Sequence, residues 1–132
     1  MSYLSPWIIL LVGVAGGVGA VLRLYASRWN GKLPWGIFSV NVAASFVVGF
    51  AANAFAGNQD AEADLVLWAS IGALVVVGFA GGLSTFSSYA AQTVEFLRKR
   101  QIARAVINTA LNLLITPLAV WCGALLSPAL LK

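Results

Sequence analysis

Four long runs of this sequence contain no charged residue: 1–22, 33–59, 65–94 and 105–131. Each reaches the roughly 20 apolar residues that a helix needs to cross the hydrocarbon core of a bilayer. The charges gather between and after these runs. Arg23, Arg28 and Lys32 form one cluster, and Asp60, Glu62 and Asp64 a second. Glu95, Arg98, Lys99, Arg100 and Arg104 form a third, and Lys132 stands apart. The pattern predicts an all-α integral membrane protein. One four-helix transmembrane domain fills residues 1–132, with helices over 4–25, 35–56, 65–97 and 102–131. The connections are short, so neighbouring helices run antiparallel, and no length remains for a soluble domain. No basic stretch precedes the apolar residues 7–12, so the N-terminus does not read as a cleavable signal.

Composition narrows the chemistry. Hydrophobic residues make up 61% and charged residues 9%, against roughly 25% charged in soluble domains. Cys122 is the single cysteine, so no internal disulfide forms. There is no histidine and there are four acidic residues. Histidine acid–base catalysis, triads and zinc sites are therefore excluded, and an enzyme reading has no support. The net charge of +4 sits at predicted helix ends, which points to membrane topology and away from nucleic acid.

Each helix carries a polar or small-residue signature. In the first, Gly13 and Gly17 form a GxxxG pair, and Gly16 and Ala20 repeat the spacing. Small residues four apart let helix backbones approach closely in lipid. No Lys-Ser/Thr follows the glycines, so a phosphate loop is disfavoured. Arg23 reads either as an interfacial arginine or as a cation at the vestibule of an anion path. The second helix opens at Pro34-Trp35-Gly36 and carries Ser39, Asn41 and Ser45. An amide buried as deeply as Asn41 needs a partner, either on another helix or in a ligand or ion.

The third run is the unusual one. Fully helical, its 30 residues would span about 45 Å. Its middle, Gly78-Phe-Ala-Gly-Gly-Leu-Ser-Thr-Phe-Ser-Ser-Tyr89, suits a helix that breaks near mid-membrane. Such backbone is tolerated only where it is buried in protein or lines a wet cavity, and such breaks often bind ions. A glycine kink with hydroxyls bonded back to the backbone is the plainer alternative. Phe86 and Tyr89 share a face of the second half. In the fourth helix Asn108, Asn112 and Thr116 form one polar stripe, and Pro117 cannot donate to the Leu113 carbonyl, which predicts a bend. The charge-free runs supply donors and ring edges but no carboxylate, on which proton-coupled transport and cation export usually rest. That inventory suits a small anion.

Three motifs carry a resemblance across nearly the whole chain: Gly16-Gly-Val-Gly-Ala-Val-Leu-Arg23, Trp35-Gly-Ile-Phe-Ser-Val-Asn41, and the highly specific Gly78 to Tyr89 segment. Through them the sequence resembles the CrcB/Fluc family of fluoride channels. The resemblance implies passive, fluoride-selective export from the cytoplasm across the cell's inner (plasma) membrane, conferring fluoride resistance. It implies an antiparallel, dual-topology homodimer with two pores. Asn41 matches the family's pore asparagine, Phe86 its first pore phenylalanine, and Arg23 its helix-one arginine. Ser87 and the stripe of Asn108, Asn112 and Thr116 fall along the implied fluoride path. A structural Na+ at the dimer centre would rest on the backbone carbonyls of Gly81 and Ser84 from each subunit. The sequence departs from the family at three places. Tyr89 stands where the second phenylalanine is usual, adding a hydroxyl that either donates to the anion or obstructs it. Gln92 stands where many members carry Glu, and Pro117 is outside the pattern.

Two other readings compete. A small multidrug-resistance-type exporter has a similar size but needs a carboxylate in its first helix, and none precedes Asp60. A non-transporting membrane assembly subunit would use the polar stripes as subunit contacts. Topology adds a conflict. Arg23, Arg28, Lys32, Arg98, Lys99, Arg100 and Arg104 fall on one side, against Lys132 on the other. Short basic loops prefer the cytoplasm, which predicts a single orientation with the termini outside. An antiparallel homodimer needs both orientations, and a partner of opposite bias is the alternative. The homodimer is expected, because this chain carries every pore motif itself.

Overall fold

The computed structural model of the protein describes residues 6–56, 67 and 69–130. The predicted helix ends at 4–5, 65–66 and 131, the acidic residues Asp60, Glu62 and Asp64, and Lys132 lie outside the described residues. The described residues contain helices and no strand. Among the described residues, four helical segments are long and apolar enough to cross a membrane. Helix α1 is Pro6–Ser27 and helix α2 is Trp35–Ala56. The third span is Ala69–Arg98, ending in helix α3, Phe86–Arg98. Helix α4, Ile102–Leu130, is 29 residues long and continues through Pro117.

Local chemistry sets the helix ends. Pro6 opens α1, where its missing N–H costs nothing. Asn30 reaches forward to α2, its Oδ1 accepting the Gly36 N–H (3.1 Å) and the Ile37 N–H (3.4 Å). The α3–α4 connection is a tight reversal. Arg100 takes the left-handed conformation, φ 55°, while Arg100 N–H donates to Leu97 O and Gln101 N–H to Phe96 O. Those two bonds satisfy the last carbonyls of α3 in the Schellman manner.

Little is buried. Ala44, Ala80 and Leu83 form a small core with Val40, Val47, Val48 and Phe79 against it. Large apolar side chains such as Trp7, Leu10, Val14, Leu113, Leu114 and Trp121 are exposed. In water this surface would aggregate; lipid is its solvent. Hydrophobic burial cannot hold helices together in lipid, so close packing must.

The packing runs along two glycine seams. One joins α1 to the first half of the third span, the other joins α2 to α4. At the first, a Cβ on Gly82 would overlap the Gly16 backbone, and a Cβ on Gly19 the carbonyl of Phe79. At the second, a Cβ on Gly49 would overlap Val120, and one on Gly123 the carbonyl of Phe46. The GxxxG expectation is therefore met only in part within one chain. Gly16 and Gly19 make the seam, while a Cβ on Gly13 or Gly17 meets nothing within 4 Å.

The third span changes geometry twice. Residues Ala73–Ala80 form a wide π-helix, so Gly81 N–H donates to Val76 O, five residues back. One α-turn follows, Gly81–Leu83. Ser84 (φ −79°, ψ 154°) and Thr85 (φ −157°, ψ 118°) are then extended, and α3 starts at Phe86 with Thr85 as its cap.

The seams give a direct test. Gly82→Ala should destabilise the purified protein by ~1–3 kcal/mol, since backbone must yield to the methyl. Gly31→Ala, at a site with open space around it, should not. Thermal unfolding in detergent compares the two; equal midpoints would remove the seam as the stabilising contact.

Candidate functional site

The two extended residues of the third span redirect backbone donors. In an unbroken helix Thr85 N–H would donate to Gly81 O. Here it donates to the side-chain Oδ1 of Asn41 on α2, at 2.9 Å. The same helix would send Ser88 N–H to Ser84 O. Here it donates to Thr85 Oγ1, at 3.2 Å, and caps α3. The carbonyls of Gly81 and Ser84 thus lose their helical donors. These are two neutral, hard oxygen ligands of the kind an alkali or alkaline-earth cation accepts.

Asn41 also donates. Its Nδ2 bonds Asn112 Oδ1 on α4, at 3.1 Å. Asn112 Nδ2 in turn donates to the carbonyl of Asn108 (2.9 Å) and to its Oδ1 (3.3 Å). Asn108 Nδ2 donates to Thr93 Oγ1 (2.9 Å), and Thr93 Oγ1 donates to Tyr89 O (2.9 Å). One directed chain of amides therefore links α2, α3, α4 and the interruption. Asn41, Asn108 and Asn112 are buried, Asn108 to 2% exposure. Their bonds satisfy the helix-to-helix reading of Asn41. The hollow beside them leaves the ligand reading open.

That hollow encloses about 200 Å³. Asn41, Ser45, Thr85, Asn112 and Thr116 give it a polar wall, and Phe86 and Tyr89 give it ring surface. Ser84 and Leu113 complete the lining. Several waters' worth of volume fits there. No carboxylate, amine, guanidinium or imidazole lines it. The rings of Phe86 and Tyr89 lie 5.4 Å apart, tilted by 59°, and Phe86 is 79% exposed on this chain.

The site residues expected from sequence do not all meet at one place. Asn41, Phe86, Tyr89, Asn112 and Thr116 come together around the hollow, and Ser84 joins them. Asn108 belongs to the same stripe but stands behind the wall, bonded to Asn112 and Thr93. Ser87 Oγ sits 2.9 Å from Thr85 Oγ1, off the lining. Arg23 lines a separate hollow with Ser27, Ile37 and Ser88. Thr116 turns its hydroxyl back to Asn112 O, at 2.5 Å. Among the described residues no cluster of His, Cys, Asp and Glu could hold a metal.

Thr85, Ser45 and Thr93 were not singled out as site residues from the sequence. Each had a readable signal: Ser45 is one turn beyond Asn41, Thr93 one turn beyond Tyr89, and Thr85 precedes an α-helix as an N-cap.

These features define a multi-pass helical membrane protein with an uncharged polar hollow where one span is interrupted. The family described as CrcB-like protein, Camphor Resistance (CrcB), matches residues 10–124, and the chain belongs to it. A relative from Methylocella silvestris is 36% identical, covering 98% of this chain and 95% of its own length. One from a Sulfurovum species is 36% identical over 93% of this chain and 95% of its own length. One from Opitutus terrae is 37% identical over 87% and 86%. Each of the three bears the name fluoride-specific ion channel FluC.

Asn41 is the joint of this network. Asn41→Leu keeps the branched shape but orphans Thr85 N–H and Asn112 Oδ1, and should cost ~1–3 kcal/mol. Ser45→Ala, on the same wall, should stay within ~0.5 kcal/mol of the parent. Unfolding midpoints of the two purified variants check the order.

Proposed function

We propose that this chain forms a fluoride channel that lets the anion leave the cytoplasm by passive electrodiffusion. The observation that carries the reading is the hollow: amide and hydroxyl groups with two aromatic rings and no carboxylate, at an interrupted span. The FluC names of relatives that match it end to end support the same substrate. A small hydrated anion must exchange water for donors along its route, and ring edges carry the positive side of the aromatic quadrupole. A negative-inside potential drives an anion outward with about 2.3 kcal/mol per charge per 100 mV, so no coupling ion is needed. The setting is the inner (plasma) membrane.

The finer architecture belongs to the same proposal. The interruption at Ser84 and Thr85 lies near the middle of the bilayer. The functional unit is an antiparallel homodimer with two pores. Support comes from Phe86, whose ring would otherwise be left to lipid beside a polar hollow, and from the open side of α1 at Gly13 and Gly17. Gly81 is exposed too. The carbonyls of Gly81 and Ser84 from both subunits would hold one Na+ at the dimer centre, fixing the two interruptions against each other. Phe86, Tyr89, Asn41, Asn112 and Thr116 border the fluoride path. Arg23, in its own hollow, acts as a cation at the approach to it.

Flux into reconstituted vesicles tests the function, fluoride against chloride. Phe86→Ile removes the ring edge and keeps the bulk; fluoride efflux should be lost while the dimer persists on size-exclusion chromatography. Undiminished efflux would sink the assignment of Phe86. Orientation is read separately. Gly31→Cys, combined with Cys122→Ser, should label from both faces of intact cells. Labelling from one face only would mean a partner of opposite bias.

A further inference from the structure

We infer that Thr109 is a positioning residue for Tyr89, holding the phenol hydroxyl out of the anion path so that the ring borders the hollow as a phenylalanine would. The inference rests on the channel reading above. Tyr89 lines the hollow beside Asn41, Thr85 and Phe86, so its ring borders the path. Its hydroxyl is committed elsewhere: Tyr89 OH donates to Thr109 Oγ1 on α4, at 3.3 Å. Thr109 is not among the residues lining that hollow. It lines a neighbouring, almost wholly apolar one with Leu97, Ala105 and Val106. The hydroxyl thus sits at the wall between two hollows, with its partner on the far side.

The backbone supports this pose from below. Tyr89 O accepts the Thr93 hydroxyl, and Thr93 Oγ1 accepts from Asn108. Asn108 and Thr109 are adjacent on α4, so α4 holds Tyr89 through two successive side chains: Asn108 by way of Thr93, Thr109 directly. The Schellman reversal at Arg100 keeps α3 and α4 in that register.

The chemistry gives the device a purpose. A phenol is a stronger donor than a ring C–H. Released into the hollow, it would grip a small anion and slow its passage. Bonded to Thr109, it leaves only the ring for the anion to meet. The bond is longer than the 2.7–2.8 Å or so usual between hydroxyls, so the latch is a weak one and its loss should be felt as a moderate change.

A double-mutant cycle in vesicles decides the matter. Thr109→Val should lower fluoride efflux about two- to fivefold, as expected for losing one hydrogen bond at the weak end of the usual net strength. In the Tyr89→Phe background the same change should alter efflux by less than about twofold, because no hydroxyl remains to release. Thr109→Ser, which keeps the acceptor, should restore flux. Equal losses in both backgrounds, or no loss in either, would overturn the proposal. A second readout does not depend on transport. 3-Fluorotyrosine placed at position 89 should show a shifted ¹⁹F resonance on Thr109→Val and little shift on Thr109→Ser; an unmoved resonance also overturns it. Parent vesicles that pass no fluoride would instead overturn the channel reading, and the resonance would still report on the latch.

Discussion

A single misdirected amide organises the centre of this protein. Thr85 N–H leaves the helix and bonds Asn41 instead. A buried backbone donor must find a partner, and in lipid no water will supply one. Asn41 therefore both permits the interruption and fixes its place. Its other end reaches Asn112, which ties the interruption to α4. The carbonyls freed at Gly81 and Ser84, the cap on α3 and the polar wall of the hollow all follow from that diversion. Without Asn41, Thr85 N–H at the interruption would be left with no partner.

The interruption also needs a frame that does not yield. The glycine seams provide it, since backbone rests directly on backbone where Gly82 meets Gly16 and Gly49 meets Val120. Both seams flank the polar centre: α1 braces the first half of the third span, and α4 is braced by α2. The π-helix at Ala73–Ala80 lies on the braced side. Wide turns of this kind leave hydrogen bonds out of register and often occur at functional sites.

Much of this was legible in the sequence because charge is so scarce. With so few charged residues, the basic clusters at 23–32 and 98–104 mark helix ends, and the starts of α2 and α4 fall at Trp35 and Ile102 as read. Asn41 and the Asn112 stripe stood out because amides are costly in lipid. What could not be read was which way each helix faces. A helix apolar all round has no hydrophobic period to orient it. So Gly13 and Gly17 read as well as Gly16 and Ala20, and Asn108 read as part of a lining when it stands behind one. The π-helix left no signal at all, since its residues, Ala73–Ala80, are as apolar as any α-helical span. Tyr89 was visible as a departure, but its hydroxyl's partner depends on the register of α3 against α4, which a tertiary turn at Arg100 decides.

The wall of the hollow has one more property. The residues that line it include no carboxylate, imidazole, amine or thiol, and the sequence contains no histidine. The groups by which proteins usually sense acidity between about pH 5 and 8 are absent from that lining. Weak acids such as hydrogen fluoride cross membranes fastest when the outside turns acidic. Serving as the proposed fluoride route, such a wall would present the same charge to the ion throughout that range. As the exit of the proposed channel, it would carry no group that titrates over the range of acidity that loads the cell.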